Sequence, residues 1–319
     1  MGLLAELLRA DAVQLSDRLP GGAQVQALAP AVWAVQPPAP GGRPLLLSAG
    51  IHGDETAPVE LLCSIVDELL CSALAPRVPL LIAFGNLAAL RAGRRYLDDD
   101  LNRLFGEAAQ PVASRELPRA AVLKAATAQF CAVHGSALHF DLHSAIRDSR
   151  YPCFAIAPLA QGAPAESIPL DLLAACGIEA VLLTTATAPT FSAYTTRKLG
   201  CTAYTFELGR VREIGAGAVD EFAAAGACLR ACIRGVALPP AAGLPRVFRV
   251  SRELIKQSEA FELCLGPATA NFTALARGDL IARDGDSAWY AEPGECIVFP
   301  NPAVKPGLRA GLLVVAIDA

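Results

Sequence analysis

Charged residues are scarce in this sequence, at 18% of 319 positions, and neither sign dominates, since the formal net charge is −4. A chain without a basic excess has no general attraction to nucleic acid or to an acidic membrane surface. The sequence therefore predicts neither as a partner, and arginine clusters have to be interpreted locally. Hydrophobic residues make up 53% of the chain, which is typical of a globular protein with an ample core.

The sequence also lacks an uninterrupted apolar run as long as a transmembrane helix requires. Its first residues, Met1 to Glu6, have neither the basic stretch nor the apolar stretch of a signal peptide. Its ten cysteines include no Cys-x-x-Cys pair, and most lie in apolar runs. We therefore expect a soluble cytoplasmic protein whose thiols are reduced.

Between residues 45 and 236, apolar strand-like runs alternate with helical patterns. This alternation predicts an α/β fold, a mainly parallel sheet flanked by helices on both faces. Helices are expected over 2–9, 57–74, 115–134, 169–176, 192–199 and 218–236. Beyond a proline-rich segment at 238–245, short β-like runs are separated by turn residues. We predict a catalytic domain over 1–243 and a small C-terminal all-β domain over 244–319.

Histidine is rare enough that every candidate can be considered, since the chain has only four. His52 and Glu55 stand at the junction between a buried strand and a helical pattern. A turn fixed at both ends can hold two metal ligands in one geometry. The pair alone is weak support, because most His-x-x-Glu pairs are ordinary surface residues.

A third ligand is offered by His143, which ends the strand Ala137–His143. Alone it would be interpreted as a hydrogen-bonded structural residue, as we interpret His134 and His139. With His52 and Glu55 it completes a His-Glu-His set. Three protein ligands with a fourth position left for water are typical of a catalytic zinc.

A metal-bound water needs a proton acceptor, and Glu207 is a candidate because it ends an otherwise uncharged strand. The alternative is a glutamate that faces solvent. The candidate ligands and Glu207 all follow the C-terminal ends of predicted parallel strands, where open α/β sheets bind their ligands. This agreement between separate strand ends favours a catalytic site.

Several arginines lie close in sequence to these positions. Arg95, Asn102 and Arg103 lie in a charged loop, Arg147 follows His143, and Arg197 precedes Glu207. The loop could also be an ordinary solvated surface segment. Because arginine binds carboxylates with a two-pronged fork, the cluster predicts a small polyanionic substrate.

In combination, these motifs resemble the succinylglutamate desuccinylase/aspartoacylase family, relatives of the zinc carboxypeptidases. The resemblance spans nearly the whole chain and favours the bacterial desuccinylase branch. It rests on Gly50-Ile51-His52-Gly53-Asp54-Glu55, Gly85-Asn86, Arg95-Tyr96, Asp100-Leu101-Asn102-Arg103-Leu104-Phe105, Asp141-Leu142-His143 and Glu207-Leu208-Gly209.

The resemblance implies a zinc carboxypeptidase-like mixed sheet and one Zn²⁺ per chain, held by His52, Glu55 and His143. It implies that Glu207 is the general base and that Arg95 polarises the scissile carbonyl. Further substrate-binding residues are implied by the same resemblance. Asn102 and Arg103 would hold a substrate carboxylate, and Arg197 occupies the place of a carboxylate-binding arginine of aspartoacylases.

The implied activity is hydrolysis of N-succinyl-L-glutamate to succinate and L-glutamate in arginine catabolism, with a small anionic N-acyl amino acid as substrate. One alternative is aspartoacylase-like deacylation of another N-acyl amino acid. Another is a non-catalytic binding protein that kept the fold, although no ligand or base is missing. The sequence leaves open whether the chain forms a homo-oligomer.

Arg147 lies four residues beyond His143, within about 14 Å of chain reach. Because the other residues account for the amino-acid half of the substrate, we hypothesise that Arg147 binds the free succinyl carboxylate. The alternative is a surface ion pair with Asp148. The β domain either shapes the pocket or forms an interface, and we favour the first.

Overall fold

The computed structural model describes residues 2–10, 13–107, 113–185, 187–213, 215 and 222–317. Over these residues the chain forms seven α-helices, namely α1 (Leu3–Arg9), α2 (Thr56–Leu70), α3 (Leu87–Arg91), α4 (Leu117–His134), α5 (Leu170–Ala175), α6 (Phe191–Leu199) and α7 (Ala223–Arg234). None of these described helices has the length and apolarity needed to cross a membrane. The predicted helices are confirmed within a few residues, although positions 218–221 of the last one lie outside the described residues.

The catalytic part of the chain contributes eight described strands: β1 (Gln24–Ala29), β2 (Val32–Gln36), β3 (Leu45–Ala49), β4 (Leu80–Phe84), β5 (Leu138–Ala145), β6 (Cys153–Leu159), β7 (Ala180–Thr185) and β8 (Thr202–Arg210). The C-terminal part contributes seven more: β9 (Arg246–Ile255), β10 (Glu262–Leu263), β11 (Thr273–Ala274), β12 (Leu280–Asp284), β13 (Ser287–Tyr290), β14 (Glu295–Val298) and β15 (Arg309–Ile317).

Four parallel strands in the order β4-β3-β5-β8 form the centre of the large sheet. Strand β2 pairs antiparallel with β4, and β6 pairs antiparallel with β8. The predicted mainly parallel, mixed sheet is therefore confirmed. The register aligns Ala49 with Leu142 and His143 with Glu207, so the strand ends thought to bear the site lie side by side.

Both faces of this sheet are buried, which explains why its central strands are continuous apolar runs. In β3, Leu45 and Leu47 pack on the same side as Leu62 of α2. Leu46 points to the other face, where it packs in a cluster with Phe130 of α4 and Phe191 of α6. Helices on both faces thus fix the position of β3, and with it the start of the turn that follows β3.

The C-terminal region is all-β among its described residues, as predicted. Its first strand, β9, pairs in parallel with β7, so the large sheet continues into this region through β15, β14 and β11. Strands β10, β12 and β13 form a separate antiparallel sheet. The domain boundary between residues 243 and 244 stays a prediction.

All ten cysteines lie among the described residues and are free thiols, as expected. Cys228 on α7 is fully buried, and its Sγ lies 2.9 Å from Sγ of Cys176. Burial raises the pKa of the Cys63 thiol far above its usual range. The buried thiols Cys63, Cys176 and Cys228 therefore contribute to the core as small hydrophobic groups.

Candidate metal centre

The turn between β3 and α2 needs glycine at position 53, because another backbone segment packs directly against it. A Cβ added to Gly53 would lie 2.2 Å from N of Leu90 and 2.6 Å from O of Arg94. The Gly53 amide also donates to O of Arg95 at 3.0 Å. This close packing places His52 next to the loop that bears Arg95.

His52, Glu55 and His143 meet in one buried cluster, with exposures of 4%, 2% and 1%. Nδ1 of His52 lies 2.7 Å from Oε1 of Glu55, and Nδ1 of His143 lies 2.9 Å from Oε2. One ligand atom from each residue lies within 4.8 Å of the others, and no other such His, Cys, Asp or Glu group occurs among the described residues. Two imidazole nitrogens and a carboxylate suit a catalytic zinc.

A second carboxylate orients each imidazole. Nε2 of His52 lies 3.0 Å from Oδ1 of Asp100, and Nε2 of His143 lies 3.1 Å from Oδ2 of Asp141. A carboxylate that accepts the Nε2 proton leaves Nδ1 free as a metal ligand. Both Asp100 and Asp141 belong to the sequence motifs on which the family resemblance rests.

Asp141 is itself held by buried polar groups. Ser48 Oγ donates to Oδ1 of Asp141 at 2.5 Å and lies 2.9 Å from Nε2 of His139. Nδ1 of His139 lies 2.8 Å from Oγ1 of Thr195. Burial lowers the pKa of His139 to about 4, so this ring is neutral at physiological pH. The structural role predicted for His139 agrees with these contacts.

The charges in the cluster favour a bound cation. Burial alone would raise the pKa of Glu55, but the nearby His52 and His143 hold it well below its usual value. Burial alone would lower the pKa of His143, yet Asp141 and Glu55 raise it well above the usual value. Positive charge is thus stabilised among these carboxylates, and a metal ion would satisfy the same field.

Glu207 of β8 stands beside His143 of β5 in the sheet register, and 8% of it is exposed. Burial raises the pKa of Glu207 to about 7, and the negative charge of Glu55 adds to the effect. A carboxylate whose pKa lies near the working pH is well suited to accept and return a proton. The alternative, a glutamate facing solvent, does not agree with this burial.

Arg95 also reaches the cluster. Its Nη1 donates to Oε1 of Glu55 at 2.8 Å, and its Nη2 lies 3.2 Å from Nε2 of His52. About 28% of its side chain is exposed, so Arg95 is accessible from solvent. Arg95 is therefore placed where it could donate to a ligand that enters from solvent.

Asn102 and Arg103, which follow Asp100, differ in their exposure to solvent. Asn102 is buried, and its Oδ1 accepts a hydrogen bond of 2.9 Å from N of Phe191 at the start of α6. Arg103 is half exposed, with its Nε 4.0 Å from Oδ2 of Asp100. Asn102 thus fixes this segment to α6, and Arg103 extends from it near the cluster.

Arg197 lies in the last turn of α6, where it contacts backbone carbonyls and the Glu107 side chain. Its guanidinium donates to O of Phe105 at 3.2 Å and to O of Ala188 at 3.4 Å, and its Nε lies 3.9 Å from Oε1 of Glu107. The contacts described for Arg197 do not include the His-Glu-His cluster. Its expected part in substrate binding stays a prediction.

Arg147 lies on the loop that leaves β5. Its Nη1 donates to O of Pro267 in the C-terminal region at 2.6 Å. Asp148, the alternative partner considered from the sequence, pairs instead with Nη1 of Arg210 at 3.2 Å. The structure therefore gives Arg147 a contact that neither hypothesis anticipated, and its proposed contact with substrate stays a prediction.

Comparison with protein families agrees with this geometry. Residues 41–233 match the model described as "Succinylglutamate desuccinylase/Aspartoacylase catalytic domain". The chain belongs to this family. Residues 244–317 match the "AstE/AspA barrel-sandwich hybrid domain" of the same family, which agrees with the predicted β region. The resemblance inferred from the motifs is thereby confirmed.

Family members with high similarity are found among curated proteins and solved structures. Succinylglutamate desuccinylases of Burkholderia mallei and Burkholderia thailandensis are 49% and 50% identical over 85% of this chain and 79% of theirs. The succinylglutamate desuccinylase structure from Vibrio parahaemolyticus has a TM-score of 0.93 at 32% identity, covering 100% of this chain and 96% of its own. That from Chromobacterium violaceum has 0.86 at 36%, covering 100% and 98%.

Proposed function

We propose that this protein is a zinc-dependent amidohydrolase that converts N-succinyl-L-glutamate to succinate and L-glutamate, a cytoplasmic step of arginine catabolism. The observation that supports this best is the buried His52–Glu55–His143 group with Glu207 beside it on the neighbouring strand. Relatives about half identical to this chain are named succinylglutamate desuccinylase, which favours this substrate over other N-acyl amino acids.

The proposed cofactor is one zinc ion per chain, held by Nδ1 of His52, Nδ1 of His143 and the Glu55 carboxylate. When bound, zinc would supply a Lewis acid and lower the pKa of a coordinated water. The Nε2 contacts with Asp100 and Asp141 keep both rings oriented for this task.

The chain's own groups move the proton and stabilise charge. Glu207 accepts a proton from the attacking water and later returns it to the amine nitrogen of the departing glutamate. Water thus adds hydroxyl to the succinyl carbon and hydrogen to the nitrogen as the amide bond breaks. Arg95 donates to the scissile carbonyl oxygen as negative charge develops there.

The proposed substrate has three carboxylates, which accounts for several cationic groups around one site. Asn102 and Arg103 are proposed to hold a carboxylate of the glutamate half. The half-exposed side chain of Arg103 leaves it available for such a contact. Arg147 is proposed to bind the free carboxylate of the succinyl half, since charge-assisted hydrogen bonds give both affinity and orientation.

A direct comparison of two substrates tests this function. Purified protein should hydrolyse N-succinyl-L-glutamate with a kcat/KM well above its value for N-acetyl-L-aspartate, measured by release of the free amino acid. A clear preference for N-acetylaspartate would instead support the aspartoacylase-like alternative. No hydrolysis of either compound by zinc-loaded protein would refute the proposal.

Metal analysis tests the cofactor separately. Protein purified without added chelator should contain close to one zinc per chain, and His143→Ala should contain far less. An active protein without bound metal would remove the proposed chemistry.

A further inference from the structure

Glu116, directly before α4, is a buried carboxylate that the proposed chemistry does not use. It is 1% exposed. Its oxygens accept hydrogen bonds from three consecutive backbone amides, those of Leu97 (2.7 Å), Asp98 (3.3 Å) and Asp99 (3.2 Å). A side chain that binds three successive amides fixes the path of that backbone segment.

Side chains complete the surroundings of this carboxylate. Nδ2 of Asn86 donates to Oε1 of Glu116 at 3.1 Å, and Oγ of Ser114 donates to Oε2 at 3.3 Å. Burial alone would raise the pKa of Glu116, but the N–H donors of Leu97 and Asn86 hold it below its usual value. The carboxylate is therefore ionised and acts purely as an acceptor.

Glu116 does not cap the helix that it precedes, since its side chain makes no hydrogen bond to the first turn of α4. The hydrogen bonds of its side chain lead instead to Asn86, Ser114 and the 97–99 segment. A role limited to starting α4 therefore does not explain this arrangement.

The segment that Glu116 holds connects two groups at the metal centre. Arg95, two residues before it, contacts Glu55 and His52. Asp100, the residue after it, contacts Nε2 of His52. A shift of the 97–99 backbone would therefore displace both groups from the candidate ligands.

We propose that Glu116 is a positioning residue for the hydrolytic site: by binding the amides of residues 97–99, it fixes Arg95 and Asp100 against His52. The part that concerns catalysis rests on the proposed function, whereas the part that concerns the metal ligand His52 does not. Glu116 itself touches neither substrate nor metal in this scheme.

The geometry requires a carboxylate at this position. Oε1 faces N–H donors of Leu97 and Asn86, and Oε2 faces the amide of Asp99. A glutamine has nearly the same shape but one oxygen fewer, so in either orientation its NH₂ group would face other donors. Glu116→Gln should therefore loosen the segment, whereas Glu116→Asp keeps both acceptor oxygens on a shorter side chain.

Asp284 of β12 provides a matched control in the C-terminal region. It is buried, and its Oδ2 accepts from the amides of Gln257 and Ser258 at 2.7 and 3.0 Å. Asp284→Asn thus removes the same kind of carboxylate-to-amide contact without touching the loop of Arg95 and Asp100.

The test compares zinc affinity by chelator competition, kcat/KM for N-succinylglutamate and Tm in these variants. Both Glu116→Gln and Asp284→Asn should lower Tm. Only Glu116→Gln should also weaken zinc binding and lower kcat/KM, each by about 10–100-fold, and Glu116→Asp should recover part of the loss. If Glu116→Gln lowers Tm but keeps wild-type zinc affinity and kcat/KM, the proposal is wrong.

A double variant tests the route through Asp100. If Glu116 acts by placing Asp100, zinc affinity in Glu116→Asp/Asp100→Asn should fall by less than the product of the two single losses. Fully multiplicative losses would overturn the proposed route. If the wild-type protein does not hydrolyse N-succinylglutamate, the proposed function fails, while the zinc-affinity measurements still decide the role of Glu116.

Discussion

Glu207 illustrates how position gives an ordinary residue its chemistry. It sits at a strand end next to His143, and burial together with Glu55 raises its pKa to about 7. An exposed glutamate at the same strand end would have a lower pKa and a weaker basicity. The sheet register therefore supplies both the location of the candidate base and its tuning.

Replacing this base separates proton transfer from metal binding. Glu207→Gln keeps the shape of the side chain but removes the proton acceptor, so kcat should fall by about 10²–10⁴-fold. Zinc content, measured by elemental analysis, should remain at the wild-type level because Glu207 is not among the three proposed ligands. If zinc is lost together with activity, Glu207 is a ligand or a folding residue instead.

The proposed role of Glu207 also predicts how kcat/KM depends on pH. Because the base acts when deprotonated, kcat/KM should fall on the acid side as Glu207 becomes protonated. The pKa of about 7 applies without a cation, and a bound cation favours the charged carboxylate. The acid limb in zinc-loaded enzyme should therefore lie below pH 7 but above the usual glutamate value of about 4.3. A flat profile down to pH 4.3 in folded protein, checked by circular dichroism, would contradict this assignment.

At the scale of elements, the loop between α3 and α4 has buried residues and long-range contacts that the sequence did not predict. Its dense charge suggested a solvated surface segment, yet Asn102 is buried and Arg95 reaches Glu55. Arg95 contacts Glu55, 40 residues away in sequence, and Asp100 contacts His52, 48 residues away. No local sequence pattern predicts contacts over such distances. Glu116 gave no signal either, because most of its side-chain hydrogen bonds are with backbone amides of the 97–99 segment.

The strands were easier to predict because their signals are local. Apolar runs predicted β3, β5 and β8, and their parallel alignment brought the expected ligands together. The reversed direction of β6 was not anticipated. Only seven residues separate Ala145 from Cys153, too few for the crossover that a parallel strand requires. The length of this loop could therefore have predicted that β6 runs antiparallel to β5.

The close packing of Gly53 in the turn after β3 predicts the effect of a substitution there. Gly53→Ala would place a Cβ against backbone atoms of Leu90 and Arg94, which cannot move aside as a side-chain tip could. The turn must then shift, so we expect a stability loss of about 1–3 kcal/mol and weaker zinc binding through displaced His52. Denaturant unfolding and chelator competition measure the two effects.

Gly41 provides the control for this substitution, because a Cβ there meets nothing within 4 Å. Gly41→Ala should leave both the free energy of unfolding and the zinc affinity close to wild type. Equal effects from Gly41→Ala and Gly53→Ala would show that the close approach at Gly53 is not the cause.

At the scale of the whole molecule, the C-terminal region supports the loop that leaves β5, the strand of His143. The amide of Asn271 donates to O of Asp148 at 2.8 Å, and the amide of Arg150 donates to O of Asn271 at 3.0 Å. Arg147 adds its hydrogen bond to O of Pro267. These contacts hold the loop against the C-terminal region, and the expectation that this region shapes the pocket stays a prediction.

Arg147 could bind substrate or could hold its loop against the C-terminal region, and substituting it distinguishes these two roles. If Arg147 binds the succinyl carboxylate, Arg147→Ala should cost roughly 1.5–3 kcal/mol in kcat/KM for N-succinylglutamate, the scale of a hydrogen bond to a charged group. N-acetylglutamate, which has no acyl carboxylate, should lose little. If its main task is the contact with Pro267, the loop shifts for every substrate, and both compounds should lose equally. Equal losses, or no loss with either compound, would therefore rule out the succinyl contact, and the ratio of the two kcat/KM values is the quantity to measure.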